Sequence, residues 1–225
     1  MPIPKVFHRI WLKGSPPMPQ QFVDWGRSWL YYNRDWEMKT WTTWPEWGVN
    51  KEEFDTAQNL VAASDVLRYE ILYHEGGVYI DTDFECLKPI GALIEPCDAF
   101  TAYEGPGVET ASCAITGAVP NHPAFKSLVE CLPQSVKLWY GPSAERMKDY
   151  PYGYVLYQVA MTGPRFFTRV LSIHPEVHIF DSTLFYPLRY ADKFDWQPEK
   201  YPDAYAVHHW AATWIPEESL IQYDY

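Results

Sequence analysis

The feature that most constrains this chain is a predicted helix that ends at a glycine pair and leads into a short apolar strand and two acids. Apolar residues at three- and four-residue spacing predict the helix over Gln58–Glu75, and Gly76–Gly77 ends it. Val78–Ile80 predicts a strand that runs directly into Asp81–Asp83. A helix followed by a strand that ends in acids is typical of α/β folds, in which the chemistry lies at the carboxyl ends of the strands.

The rest of the chain completes a mixed α/β pattern. Further strands are predicted at Lys5–Trp11, Trp36–Trp41, Val177–Phe180 and Tyr205–His209. Further helices are predicted at Gln20–Tyr32, after Asn121 as an N-cap, and from Thr162–Pro164 onward. Because no repeat or low-complexity stretch divides the chain, we expect a single domain over residues 1–225.

Composition and charge argue against several classes of protein. Lys and Arg total 18 against 29 Asp and Glu, and the net charge of −11 disfavours binding to nucleic acid. No apolar run reaches the length of about 18 residues that a transmembrane helix needs, and the first residues lack an export signal. The four cysteines form no CxxC pair, so we expect reduced thiols and a cytoplasmic protein.

Two pairs of charged residues carry the chemical argument. Asp81 and Asp83 are two residues apart at a strand end, so their carboxylates point to the same side and can share a divalent cation. Such oxygen ligands suit Mg²⁺ or Mn²⁺, which can bridge the phosphates of a nucleotide diphosphate; the alternative is a solvated acidic turn. Asp65 and Arg68 share one helix face, either as a surface ion pair or as groups that hold a sugar hydroxyl and a phosphate.

Two blocks of the sequence resemble one family. Ala63–Tyr73 and Gly76–Asp83 are similar to the DXD-motif sugar transferases numbered family 32, which include fungal initiating mannosyltransferases and bacterial capsular-polysaccharide synthesis proteins. A more distant similarity is to the glucosyltransferase domains of the large clostridial toxins. Weaker matches follow in the family's order at Ile3–Gly14, Ile115–Gly117, His122–Pro123, Thr162–Pro164 and Ala206–Trp210, with Trp214 after them.

The resemblance implies a fold and an activity. The implied fold is α/β of the GT-A type, a Rossmann-like mixed sheet flanked by helices. The implied activity is metal-dependent transfer of a hexose from a nucleotide-diphosphate sugar to an acceptor, with retention of configuration. Mn²⁺ is the expected cofactor, with Mg²⁺ as the alternative. The donor, a UDP- or GDP-linked hexose, and the acceptor, a glycan, a protein or a small molecule, stay open at this point.

The resemblance also implies roles for individual residues. Catalytic roles fall on Asp65, Arg68 and Asp83. The donor is expected to contact Ile10, Trp11, Asp65, Arg68, Tyr79, Asp81 and Trp214, with Trp11 stacked on the base. The metal is expected to bind Asp83 and His209, with Asp81 at the ribose and in the outer shell of the metal. If Tyr205–His209 is a strand, His208 and His209 point to opposite faces, so at most one reaches the metal, and we expect His209. His8 is expected to be structural.

Two other functions stay open at this point. The chain is rich in aromatic residues, at 17%, which would suit a non-catalytic nucleotide-sugar or carbohydrate-binding domain. The intact acidic pair and Arg68 argue against such a decayed site. A phosphohydrolase of the haloacid-dehalogenase type also carries a DxD after an apolar strand, but here Phe84–Glu85 follows it and the motif is far from the N-terminus. Ser112 and Cys113 stand where many members of the resembled family have Asn, which leaves the acceptor contacts undetermined.

Overall fold

A computed structural model of the protein describes residues 1–57, 59–139 and 160–211. Its strands are β1 (Val6–Ile10), β2 (Glu37–Trp41), β3 (Gly77–Ile80), β4 (Phe84–Cys86), β5 (Ala99–Tyr103), β6 (Ala111–Ala118), β7 (His178–Phe180) and β8 (Ala206–His208). Its α-helices are α1 (Gln20–Tyr32), α2 (Lys51–Asp55), α3 (Leu60–His74), α4 (Gly91–Ile94), α5 (Pro123–Trp139) and α6 (Pro164–Leu171). Short 3₁₀ helices lie at Ser182–Leu184, Tyr190–Asp195 and Pro198–Lys200.

Six of these strands form one mixed sheet in the order β2-β1-β3-β6-β5-β7. Strands β2, β1 and β3 are parallel, β6 is antiparallel to both β3 and β5, and β7 is parallel to β5. Strand β6 therefore runs against the other five, and the carboxyl ends of β1, β3 and β5 lie at the same edge of the sheet. Strands β4 and β8 form a separate antiparallel pair. The predicted mixed α/β architecture is confirmed.

Helix α3 is a buried helix with a polar interior face. It begins at Leu60, where the side-chain oxygen of Asn59 accepts a hydrogen bond from the Ala62 amide at 2.8 Å, so the helix is shorter than the sequence predicted. Its buried residues include three charged ones, Asp65, Arg68 and Glu70. A charged side chain is almost never fully buried unless it is paired, so this helix must place these groups against specific partners.

The glycine pair after α3 allows β3 to lie close to β1. Gly76 and Gly77 have φ angles of +64° and +89°, in the left-handed region that favours glycine. A Cβ atom on Gly77 would lie 2.7 Å from Cγ1 of Val6 and 2.8 Å from Nε2 of His8. The turn and the close approach of the two strands therefore both require glycine at this position.

Two apolar clusters cover the two faces of the sheet. Val78 and Ile80 belong to one cluster and Tyr79 to the other, as the alternation of side chains along a strand requires. Helices α3, α5 and α6 pack on the Tyr79 face, where the Tyr69 and Phe167 rings stack with centroids 5.9 Å apart. Helix α1 and strand β4 pack on the other face.

Two local expectations, the cap at Asn121 and the role of His8, have different outcomes. Helix α5 begins at Pro123, and Nδ1 of His122 accepts a hydrogen bond from the Ala124 amide, so Asn121 is not the cap; its φ of 60° instead turns the chain before the helix. His8 is structural, as predicted: Nδ1 accepts from the Trp41 indole at 3.1 Å and Nε2 donates to the Gly76 carbonyl at 3.0 Å.

Two further properties concern the cysteines and the lengths of the helices. All four cysteines are free thiols. Among the described residues no helix has both the length and the apolar character needed to cross a bilayer.

Candidate active site

Three potential metal ligands converge at the edge of the sheet where β3 ends. Ligand atoms of Asp81, Asp83 and His208 all lie within 4.8 Å of one another. Asp81 immediately follows β3, and Asp83 lies in the turn that leads into β4. His208 ends β8 and is paired with Phe84, the first residue of β4. The pairing of β4 with β8 therefore brings a histidine from late in the chain to the acidic motif.

The segment that follows β8 wraps around Asp83. Nε2 of His208 lies 3.1 Å from Oδ1 of Asp83, and the Ala211 amide donates to Oδ2 at 2.9 Å. The His209 amide donates to the Asp83 carbonyl at 3.0 Å. Burial opposes ionisation of Asp83, but the charge and hydrogen bond of His208 outweigh it and hold the pKa of Asp83 below its ordinary value. Burial also opposes protonation of His208, but the Asp83 carboxylate outweighs it and raises the histidine pKa.

The structure places His208 at the acids and turns His209 away from them. The His209 ring stacks on Trp25 with centroids 4.1 Å apart, and its Nε2 lies 2.8 Å from Oε2 of Glu85. The expectation that His209 is the histidine of the metal site is therefore corrected. The reason is the register between β4 and β8, which sets His208 opposite Phe84 and directs the next side chain to the other face.

Arg68 connects helix α3 to the acidic motif. Its Nη2 lies 3.1 Å from Oδ1 of Asp65 and 3.4 Å from Oδ1 of Asp81, and its guanidinium carbon lies 4.5 Å from the centre of the Tyr79 ring. Nη1 donates to the Cys113 carbonyl at 2.8 Å. Because the side chains of Arg68 and Asp65 are each only 4% exposed, they form a buried ion pair and not the surface pair that the sequence left open.

The neighbouring acids are held by further hydrogen bonds. Oδ2 of Asp65 accepts from the Thr162 hydroxyl at 2.8 Å, and Oδ1 of Asp81 accepts from the Tyr79 hydroxyl at 2.7 Å. Burial raises the pKa of Asp81, although the nearby Arg68 charge opposes that shift. Asp65, Arg68, Tyr79 and Asp81, all named from the sequence, therefore form one connected network. Asp83, also named from the sequence, lies beside this network and is held by His208 and Ala211.

A β-bulge in β6 supplies the contact to Arg68. The register between β5 and β6 shifts between Thr101 and Tyr103. Within the bulge the Ala114 amide donates to the Ser112 hydroxyl at 3.0 Å, and the Cys113 carbonyl faces Arg68. Bulges are common next to active sites because they redirect backbone groups. Ser112 and Cys113 depart from the pattern of the resembled family, and Cys113 contributes a backbone oxygen to the network.

The remaining donor candidates lie near the end of β1. Trp11 is half-buried, with its indole N–H donating to the Pro16 carbonyl at 2.9 Å, whereas the Ile10 side chain is part of the apolar core. A cleft of about 740 Å³ lies beyond the end of β1, and its lining includes neither Ile10 nor Trp11. The lining residues include Leu12, Lys13, Trp44, Asn59, Leu60 and Ala63. Trp214 lies outside the described residues. The cleft is on the β1 side of the cluster of Asp81, Asp83 and His208, next to the start of α3.

Comparison with known proteins confirms the resemblance. Residues 19–101, which contain Asp65, Arg68, Asp81 and Asp83, match the family described as "Glycosyltransferase sugar-binding region containing DXD motif". Mannosyl phosphorylinositol ceramide synthase SUR1 of Saccharomyces cerevisiae is 31% identical over 148 residues, which are 62% of this chain and 37% of that protein. The chain thus spans well under half of this relative's length.

Solved structures show the same fold. The PaToxG glycosyltransferase superimposes with a TM-score of 0.59 at 16% identity, covering 77% of this chain and 70% of the toxin chain. The UDP-bound glycosyltransferase domain from the YGT toxin gives a TM-score of 0.53 at 12% identity, covering 79% of each chain. Because these structural neighbours are glycosyltransferases, the expected GT-A fold is confirmed.

Proposed function

We propose that this protein transfers a hexose from a nucleotide-diphosphate sugar to an acceptor hydroxyl. The match of residues 19–101 to the DXD-containing sugar-binding region of glycosyltransferases supports this proposal. The observation that carries the proposal is the cluster of Asp81, Asp83 and His208, joined through Arg68 to the buried Asp65. A cluster of this kind offers a cation site and a fixed positive charge side by side. Both are useful to a reaction whose leaving group is a diphosphate.

The donor set of the cluster fits a divalent cation. Two carboxylates and one imidazole suit Mn²⁺ well, and Mg²⁺ less well because it prefers oxygen ligands. Nδ1 of His208 is buried and has no hydrogen-bond partner within the described residues. We therefore assign the cation to Asp81, Asp83 and His208. A cation held there would neutralise the charge that grows on the departing diphosphate.

Arg68 would attract and orient the phosphates and the donor sugar. The guanidinium is already held by Asp65, Asp81 and the Cys113 carbonyl, so it loses little further freedom when the donor binds. Burial opposes its charge, but the surrounding groups outweigh that penalty and keep the pKa of Arg68 above its ordinary value. We assign Asp65 as the acceptor of a sugar hydroxyl. Tyr79 would fix the orientation of Asp81 through its hydroxyl.

The nucleoside would occupy the cleft beyond the end of β1, and Trp11, which precedes the lining residue Leu12 in the chain, would be the stacking residue. This placement is supported by the size of the cleft, about 740 Å³, and by its position beyond the end of β1 and beside the start of α3. The yeast relative is named as a mannosyl phosphorylinositol ceramide synthase, so a mannosyl donor is the first to test. UDP-linked hexoses are the second choice.

We further propose retention of configuration at the transferred carbon. The two acids of the DXD motif belong to the cation cluster, so neither is available as the nucleophile of a double displacement. A front-face reaction assisted by the leaving group then accounts for retention. The anomeric configuration of the product, read by NMR, tests this part of the proposal.

Calorimetric binding of UDP and GDP with and without Mn²⁺ tests the proposed function. We expect one of the two nucleotides to bind only when Mn²⁺ is present, and Asp83→Ala to abolish that binding. Asp203→Ala, which removes an exposed acid ahead of β8, is the matched control and should bind as the wild type does. Release of nucleotide from GDP-mannose or UDP-glucose then shows turnover. Absence of metal-dependent binding would contradict the proposal, and binding without turnover would favour a non-catalytic module.

A further inference from the structure

A further carboxyl group lies at the same edge of the sheet as the cluster of Asp81, Asp83 and His208. Strands β3 and β5 run in the same direction with β6 between them, so both end at this edge. Asp81 immediately follows β3, and Glu104 immediately follows β5. Two strand spacings separate their backbones by about 10 Å, which leaves room for a substrate group between the side chains.

The Glu104 carboxyl is close enough to the cluster for the charges of the cluster to act on it. The groups that act on its carboxyl include His208, Asp81, Arg165 and Arg68. The residue is half-buried, and its amide donates to the Thr110 carbonyl at 3.0 Å, which fixes the backbone at the strand end. Burial is the largest cause of a pKa raised to about 8. The strand end and this environment both place the carboxyl at the candidate site.

Glu104 differs from the other acids of the site in having no fixed partner. Asp65, Asp81 and Asp83 each accept hydrogen bonds from named groups. Within the described residues, the Glu104 carboxyl makes no hydrogen bond to protein. A half-buried carboxyl without a protein partner can bind a hydroxyl group, whether it is ionised or protonated.

The order of the strands decides which substrate Glu104 faces. The cleft and the donor candidates lie on the side of β1 and α3, and Glu104 lies across the cluster on the side of β5. The reacting carbon of the donor must lie near the diphosphate and hence near the cluster. We infer that Glu104 binds the attacking hydroxyl group of the acceptor and orients it toward that carbon. This inference rests on the proposed glycosyltransferase function.

The test uses water as the acceptor, because the natural acceptor is not identified. Hydrolysis of GDP-mannose and UDP-glucose in the presence of Mn²⁺ is measured for the wild type, Glu104→Ala, Glu104→Gln and the control Glu109→Ala. Glu109 is an exposed acid on the same loop. We expect Glu104→Ala to lower kcat at least tenfold, with donor KM and nucleotide Kd within twofold of the wild type. Glu104→Gln keeps a hydrogen-bonding group, so its kcat should fall less than that of Glu104→Ala. The control Glu109→Ala should behave as the wild type.

The outcomes separate this inference from the proposed function. An unchanged kcat in Glu104→Ala overturns the inference. A loss of nucleotide affinity as large as the loss in kcat also overturns it, because that result would place Glu104 at the donor. In both cases Mn²⁺-dependent nucleotide binding and wild-type hydrolysis leave the proposed function standing. A wild type that binds nucleotide but hydrolyses neither donor overturns both, because then no hydroxyl is positioned for attack.

Discussion

Replacing Arg68 by Met should destabilise the protein much more than a change at a surface arginine. The substitution leaves the buried carboxylate of Asp65, whose side chain is 4% exposed, without its guanidinium partner. It also removes the donor to the Cys113 carbonyl. Removal of one partner of a buried ion pair typically costs about 3–5 kcal/mol. For a chain of this size, that loss corresponds to a fall in Tm of roughly 6–20 °C.

The chain provides a matched control for this experiment. Arg27 and Asp24 also form an i,i+3 pair at 2.9 Å, but their side chains are 70% and 56% exposed. Exposed pairs contribute about 0–1 kcal/mol, so Arg27→Met should change the free energy of unfolding by no more than that. Both variants replace an arginine by methionine, and they differ in whether the ion pair is buried or exposed. Urea denaturation at neutral pH measures the two free energies.

A double substitution tests the physical reason. If the cost comes from an unneutralised carboxylate, Asp65→Asn combined with Arg68→Met should be less destabilising than the sum of the single changes, by about 1–3 kcal/mol. Asn retains an oxygen that can accept the Thr162 hydrogen bond. A loss below about 1 kcal/mol for Arg68→Met, or strict additivity with Asp65→Asn, would refute the reasoning from burial.

Three further predictions follow from the contacts described above. His208→Ala should weaken Mn²⁺-dependent nucleotide binding at least about tenfold, whereas His209→Ala should leave it within twofold, and calorimetry of the two variants distinguishes them. Gly77→Ala should lower the unfolding free energy by about 2–5 kcal/mol, because it adds strain at a φ of +89° and a Cβ atom 2.7 Å from Val6; urea denaturation measures this loss. Burial lowers the pKa of His8 to about 4, so between pH 4 and 6.5 the unfolded chain binds more protons than the folded chain does. Stability should therefore fall by up to about 3 kcal/mol as the pH decreases through that window, and His8→Gln should flatten this dependence in a pH series of denaturation curves.

Local periodicity predicted the elements that depend on nearby residues. Helix α1 occupies the predicted range Gln20–Tyr32 because its apolar face repeats every three to four residues. The glycine pair Gly76–Gly77 marked the end of α3, since few other residues tolerate the required φ angles. The acids after β3 marked the edge of the sheet where the site lies.

Pairing between distant segments decided the rest. His208 and Asp83 are 125 residues apart, and only the register between β4 and β8 determines which of two adjacent histidines reaches the acids. The bulge that turns the Cys113 carbonyl to Arg68 arises from the mismatch between β5 and β6. Glu104 has no local pattern that would single it out, and it gains its place because β5 ends at the same edge as β3.

The sequence by itself therefore determined the type of fold, the family resemblance and the acids of the motif, because turns, periodicity and short motifs act over a few residues. Only the tertiary structure decided which histidine joins those acids, that the ion pair of Asp65 and Arg68 is buried, and that a carboxyl from β5 faces the site. The physical reason is that strand register and burial are set by contacts between residues far apart in the chain.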